Sequence, residues 1–206
     1  MSRTVAISLL AAGLLAVSSN PGLAHPVAAT FKVDTLGVGG DLTLRFGEYA
    51  NGRVGVNYWR HDVTVDMNEA NVQGSLKWLT VPVLLDIHPA ASGFRISLGG
   101  MINNNEVVLT ADPKEPLTLN GTDYSITELD GSVSFETFSP YFGIGYGNAV
   151  DDDGIVHFAC DFGVMYHGAP KVSAKVFSNL PAELQGQLNR DLQQEVADLE
   201  KDMSPY

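Results

Sequence analysis

Cysteine is nearly missing from this chain of 206 residues: Cys160 stands alone. One thiol closes no internal disulfide, so the chain is not a disulfide-stapled secreted scaffold, and no paired-cysteine zinc site can form. No cysteine directly follows the N-terminal apolar segment, which argues against a lipid-anchored lipoprotein. Positive charge is scarce as well. Lys and Arg number 12 against 24 Asp and Glu, a net charge of −12, which opposes an electrostatic partnership with nucleic acid. Beyond the N-terminal segment no apolar run approaches the length of a transmembrane helix. A glycine-rich phosphate loop and a His-Glu-x-x-His helix are also missing. Asp151-Asp152-Asp153-Gly154 invites a calcium reading. Ala149 stands at the first ligand position, however, and no Glu closes the loop, so an acidic turn is expected. No metal or cofactor is expected.

What is present begins at the N-terminus. Arg3 precedes an unbroken apolar run from Val5 to Val17, then Ser18-Ser19-Asn20-Pro21 and Gly22-Leu23-Ala24. A positive start, a short apolar core and small residues before a cut are the parts of a secretory signal peptide. Residues 1–24 are therefore read as a leader cleaved near Ala24–His25. Roughly 180 residues remain, enough for one domain.

Most of that remainder alternates with a period of two, the mark of strands with one apolar and one polar or small face. In the first run Leu36, Val38, Leu42, Leu44 and Phe46 oppose Asp41, Thr43 and Arg45. Val54, Val56 and Tyr58 oppose Arg53 and Asn57; Val81, Val83, Leu85 and Ile87 oppose Asp86 and His88; Phe94, Ile96 and Leu98 oppose Arg95. Later runs place Phe138, Phe142, Ile144 and Tyr146 against Tyr141 and glycines, and Phe158, Cys160, Phe162 and Val164 against His157 and Asp161. Val172, Ala174 and Val176 oppose Lys171 and Lys175 in a seventh. The apolar faces have the length of a tilted membrane strand, about 9–11 residues. Aromatics fall near strand ends (Phe46, Tyr58, Trp59, Trp78, Phe94, Phe138, Tyr166), as in interfacial girdles. Abundant glycine within these runs disfavours helix and suits tightly curved strands.

The expected fold is therefore all-β: an antiparallel up-and-down transmembrane barrel over residues 25–177, followed by a C-terminal helix. Backbone groups in lipid have no water to bond, so such a sheet must close. Its polar faces then point inward. The candidate lumen network is Asp41, Arg45, Arg53, Asn57, Asp86, His88, Arg95, His157 and Asp161, with Lys175 further along. In a barrel this small such side chains pair and fill the lumen. A soluble sandwich or lipocalin-like barrel gives the same alternation with the faces reversed. His157, Asp161 and His167 share one strand face and could serve as acid and base of a membrane-embedded barrel enzyme acting on lipid, although no nucleophile accompanies them. On this reading the chain is no enzyme, and Cys160 on the apolar face is an inert, buried thiol.

Two stretches, Asp62–Val72 and Asn103–Gly131, read as long connections; Asn120-Gly121 in the second signals a hairpin. With the first strand at Thr35 the short turns fall on the outer side. Either an earlier strand around Ala28–Val33 restores the usual arrangement of long loops outside, or this barrel has long inner turns. From Ser178 the pattern becomes helical, with Pro181 at the start and Leu184, Leu188, Leu192, Val196 and Leu199 at helical spacing. The helix either binds a partner or plugs the lumen, or it rests its apolar stripe on the barrel rim.

The segments Phe138–Asn148 (FSPYFGIGYGN) and Phe158–Val172 (FACDFGVMYHGAPKV), with the acidic helix, resemble a family of largely uncharacterised outer-membrane β-barrel proteins of Gram-negative bacteria. The general plan is similar to the small eight-stranded barrels typified by the transmembrane part of outer membrane protein A. The resemblance implies an outer-membrane location, contact with outer-membrane lipid, passage through the barrel-assembly machinery, and a structural, adhesive or narrow-pore role. It also implies one more strand after the helix, which a chain ending Ser204-Pro205-Tyr206 lacks.

Overall fold

The structure is a computed structural model that describes residues 7–17, 27–66, 70–150 and 156–203. The expected cleavage site, the acidic turn Asp151–Gly154 and the C-terminal Ser204-Pro205-Tyr206 lie outside the described residues.

Alternation becomes strand wherever it was read. In chain order the strands are β1 (Ile7–Val17), β2 (Val27–Asp34), β3 (Gly37–Arg45), β4 (Ala50–Asp66), β5 (Ala70–Ile87), β6 (Phe94–Asn103) and β7 (Glu106–Pro113). After these come β8 (Leu117–Leu119), β9 (Thr122–Tyr124), β10 (Glu128–Ser134), β11 (Phe138–Tyr146), β12 (Val156–Tyr166) and β13 (Lys171–Phe177). One helix, α1 (Ala182–Met203), follows.

Eight strands close into a ring. The order runs β5-β4-β3-β2-β1-β12-β11-β6, and β6 pairs back onto β5, antiparallel throughout. The fold is thus an antiparallel β-barrel with a C-terminal helix. The earlier strand before Thr35 exists as β2, joined to β3 by the tight turn at Thr35-Leu36. The short connections after β3, β5 and β11 consequently share one end of the barrel. The eighth place in the ring, expected of a strand beyond the helix, is occupied by β1. That strand comprises residues read as the leader's apolar core, with Ala12 opposite both Asp161 and Asp34.

The two stretches read as long connections are mostly sheet. β4 and β5 continue far beyond the barrel as a long hairpin, with Trp59 opposite Trp78 and Val65 opposite Val72. On the free edge of β5, β6 hands over to β7 at Asn103-Asn104-Asn105. There the Asn105 side chain accepts the Leu79 N–H (2.9 Å), replacing a main-chain carbonyl. β10 and β13 similarly extend β11 and β12 past breaks at residues 135–137 and 167–170. The distal parts of β4 and β5, with β7, β10 and β13, continue the same sheet beyond the barrel, in a part here called the dome.

The dome reverses the sense of the faces. The barrel turns apolar side chains outward, whereas the wall that continues the lumen face upward into the dome is apolar. Its cross-strand rows are Val72–Ala111–Leu129–Val176, Gly74–Leu109–Gly131–Ala174 and Leu76–Val107–Val133–Val172. The seventh alternating run therefore belongs to the dome and not to the barrel, and Lys175 is exposed on the dome's polar face. Trp59 and Trp78 stand on the lumen-side face at the junction and not in an outer girdle.

Helix α1 lays Leu188 and Leu192 against Leu119, Tyr124 and Ile126, with Leu129, Ala174, Val176 and Leu180 alongside. It covers the dome edge at β13 and the β8–β9 hairpin, so it neither plugs the lumen nor rests on the barrel rim. That hairpin turns at Asn120-Gly121, both with positive φ (48° and 77°), as the Asn-Gly pair demands. Glu200 on α1 accepts the backbone N–H of Val172 (2.8 Å), satisfying a donor on the outermost strand.

Candidate functional site

The polar faces converge inside the barrel. Asp41, Arg53, Asn57, Asp86, His88, Arg95 and Asp161 are all buried there. Arg45 is half-buried at the end of β3, opposite Asn51. His157 lies on β12 opposite Ala16, and its side chain is outside the described residues.

Arg53 is the hub. Its Nη1 donates to Asp161 Oδ2 at 2.9 Å and its Nη2 to Asp86 Oδ1 at 3.0 Å, while Nε lies 3.0 Å from Asp86 Oδ2. A third carboxylate, Asp41, sits 3.7 Å from Nη1. Arg95 grips Asp161 from the other side and donates through Nη1 to the Gly147 carbonyl at 2.7 Å. Lys32 donates to Asp41 at 2.6 Å, and Ser97 to Asp86 at 2.5 Å. Three cations (Lys32, Arg53, Arg95) thus meet three carboxylates (Asp41, Asp86, Asp161) in a neutral cluster. The burial of so many charges is tolerable because each finds an opposite charge and directed hydrogen bonds.

Glycines on the same face make room for the cluster. A Cβ on Gly55 would run into the Asp41 carboxylate. One on Gly39 would meet Asn57, and one on Gly143 or Gly163 the Tyr141 ring. Curvature alone, which the sequence reading assigned to these glycines, does not explain their positions. They are the small partners in rows whose large partner is charged or aromatic.

Further layers close the lumen on both sides of the cluster. Toward the dome, Leu36, Leu84, Met101, Tyr141 and Met165 pack together. Toward the short turns, Asn51 Nδ2 meets His88 Nε2 at 3.0 Å and the Asn148 side-chain oxygen at 3.0 Å, while Ala149 and Val150 pack against Ala28. A cavity of about 30 Å³ beside Lys32, Asn57 and Tyr141 has room for a water molecule and little more.

This geometry bears on acid–base chemistry. Both oxygens of Asp161 are engaged by arginines, so it is a poor proton acceptor. His167 is buried with Nδ1 3.1 Å from the Asn103 amide, and its ring tilts against Phe135. Among the described residues no cluster of His, Cys, Asp and Glu is spaced to hold a metal ion. Cys160 follows the alternation to the outer face, where it is exposed and not buried.

Sequence reasoning missed Lys32, Ser97 and Asn103. Lys32 lies on β2, which was only an option in the alternation, and Ser97 and Asn103 are too short and neutral to stand out in a strand.

No protein-family model matches the chain, and no curated protein matches it. Among solved structures it is similar to Acinetobacter baumannii CarO2, at 18% identity and a TM-score of 0.49, over 84% of this chain and 90% of that one. It is also similar to Acinetobacter baumannii CarO, at 18% identity and a TM-score of 0.47, over 93% of this chain and 89% of that one.

Proposed function

We propose that this chain is an outer-membrane β-barrel protein whose filled lumen serves as a rigid anchor for the dome, with no catalysis and no open channel. The supporting observation is the inverted surface. Leu42, Phe142 and Phe162 on the outer face are 53%, 50% and 52% exposed, while Asp41, Arg53 and Asp161 inside are 3%, 6% and 6% exposed. In water that distribution would be costly, at about 25 cal/mol per Å² of apolar surface left uncovered. Against acyl chains it is the expected one.

Two rings of aromatics at different heights on the outer face support a bilayer position. Phe46, Phe94 and Tyr146 lie toward the short turns, and Tyr58, Phe138 and Tyr166 toward the dome. Short turns at one end and the dome at the other favour a dome outside the cell. In this reading the barrel contacts outer-membrane lipid and is inserted by the barrel-assembly machinery after export on the N-terminal leader. Cleavage near Ala24 would withdraw the β1 residues from between β2 and β12. Those strands would then need another partner, since unpaired backbone in lipid is costly.

The test is fractionation of the full-length gene product with N-terminal sequencing, followed by planar-bilayer recording. Outer-membrane recovery, heat-modifiable migration on a gel and the absence of conductance steps fit the anchor. A soluble periplasmic product overturns the membrane reading, and steady conductance steps overturn the filled lumen.

A further inference from the structure

Above the lumen plug, the dome sheet, the β8–β9 hairpin and α1 enclose a cavity of about 570 Å³. That volume lies within the range of small-molecule pockets, about 300–1,000 Å³. Its floor is the apolar cross-strand rows, its side wall is Leu117 and Leu119, and its lid is Leu192, Val196 and Leu199 of α1. The floor is hollowed where Gly131 and Ala174 stand in the middle row. A Cβ on Gly131 would meet nothing closer than the Leu109 carbonyl at 3.9 Å, so the space above it is open. Leu109 of the floor and Leu199 of the lid remain 47% and 51% exposed. Leu188 and Leu192, about three and two turns earlier on α1, are buried. Val196 is buried as well, so of the three lid residues Leu199 alone stands open at the rim of the hollow.

We infer that this hollow is a binding site for a small hydrocarbon molecule, neutral or amine-bearing, that completes the apolar core of the dome. Enclosure on three sides and the modest volume favour a small molecule over a protein segment. The charge on the wall selects among small molecules. Among the described residues of the wall Glu195 is the one that is charged, on a helix face that also carries Asp191 and Asp198. A fatty carboxylate or another anionic amphiphile would place like charge beside it, whereas an alcohol or an amine would not. The site does not depend on the membrane assignment, because the dome is built outside the barrel.

The experiment uses the full-length chain in lipid nanodiscs and the neutral fluorophore N-phenyl-1-naphthylamine, with empty nanodiscs correcting for partition into lipid. Saturable enhancement above the empty-disc signal is expected, displaced by dodecylamine or dodecanol at least ten-fold more effectively than by dodecanoate. Gly131→Phe, which fills the hollow, should weaken probe binding at least ten-fold. Leu199→Trp, at the half-exposed rim where folding is not at stake, should weaken it several-fold. Probe binding equal to that of empty nanodiscs, or binding unchanged in a folded Leu199→Trp chain, would overturn the site. Equal displacement by dodecanoate would overturn its charge preference.

Discussion

Arg95 holds Asp161 with both arms of its guanidinium, Nε to Oδ1 at 2.9 Å and Nη2 to Oδ2 at 2.7 Å, although their strands never touch. β11 runs between β6 and β12, and the residue it places in that row is Gly145, register partner of both. A Cβ there would collide with Asp161 Oδ1 and come within 3.0 Å of Arg95 Nε. The bridge passes over the one residue type that leaves space for it.

Gly145→Ala is therefore expected to break the bridge, lowering barrel stability by several kcal/mol on the scale of a disrupted buried ion pair, about 3–5 kcal/mol. Gly47→Ala, where nothing lies within 4 Å of the added carbon, should leave stability unchanged. Urea unfolding of the barrel in lipid vesicles compares them.

Asp161→Asn strips one formal charge from a cluster in which two arginines rely on it. It should cost about 3–5 kcal/mol, because Arg53 and Arg95 stay buried with a deficit of negative charge. Replacing Arg95 and Asp161 together by leucine should recover part of that loss. The same unfolding assay, run as a double-mutant cycle, measures the coupling.

The dome carries its own pH response. The Tyr124 hydroxyl donates to Asp191 Oδ2 of α1 at 2.6 Å, and this bond is the main cause pushing the phenol above its ordinary value of 10. A group raised on folding stabilises fully below its unfolded pKa and loses that contribution as pH climbs through the folded value. Protection of α1 amides against hydrogen exchange, corrected for intrinsic rate, should hold at pH 8 and fall as pH is raised beyond 10. In Tyr124→Phe that step should vanish.

Much of this was written in the alternation. The faces of β3, β4, β5, β6, β11 and β12 follow from period two, and seven of the nine candidate lumen residues lie buried in the lumen. Pro181 and Asn120-Gly121 marked the helix start and the hairpin where they occur. The dome was not legible, because Val107, Leu109 and Ala111 alternate just as barrel strands do, and period two does not say whether an apolar face meets solvent, lipid or a helix. Trp59 and Trp78 were misplaced for the same reason. Their distance from a strand end, which defines a girdle, depends on β4 and β5 running on past the barrel. Ring closure by Ile7–Val17 was hidden because a short apolar run satisfies a leader and a strand equally well.

The decisive measurement concerns which side of the sheet meets hydrocarbon. Nitroxide labels at Leu42→Cys and Phe162→Cys, each in a Cys160→Ser background in nanodiscs, are compared with one at Leu184→Cys, an exposed position in the first turn of α1. The account predicts that both barrel sites collide frequently with oxygen and rarely with a water-soluble nickel chelate, while Leu184 shows the reverse. Nickel accessibility at Leu42 and Phe162 equal to that at Leu184 would contradict it.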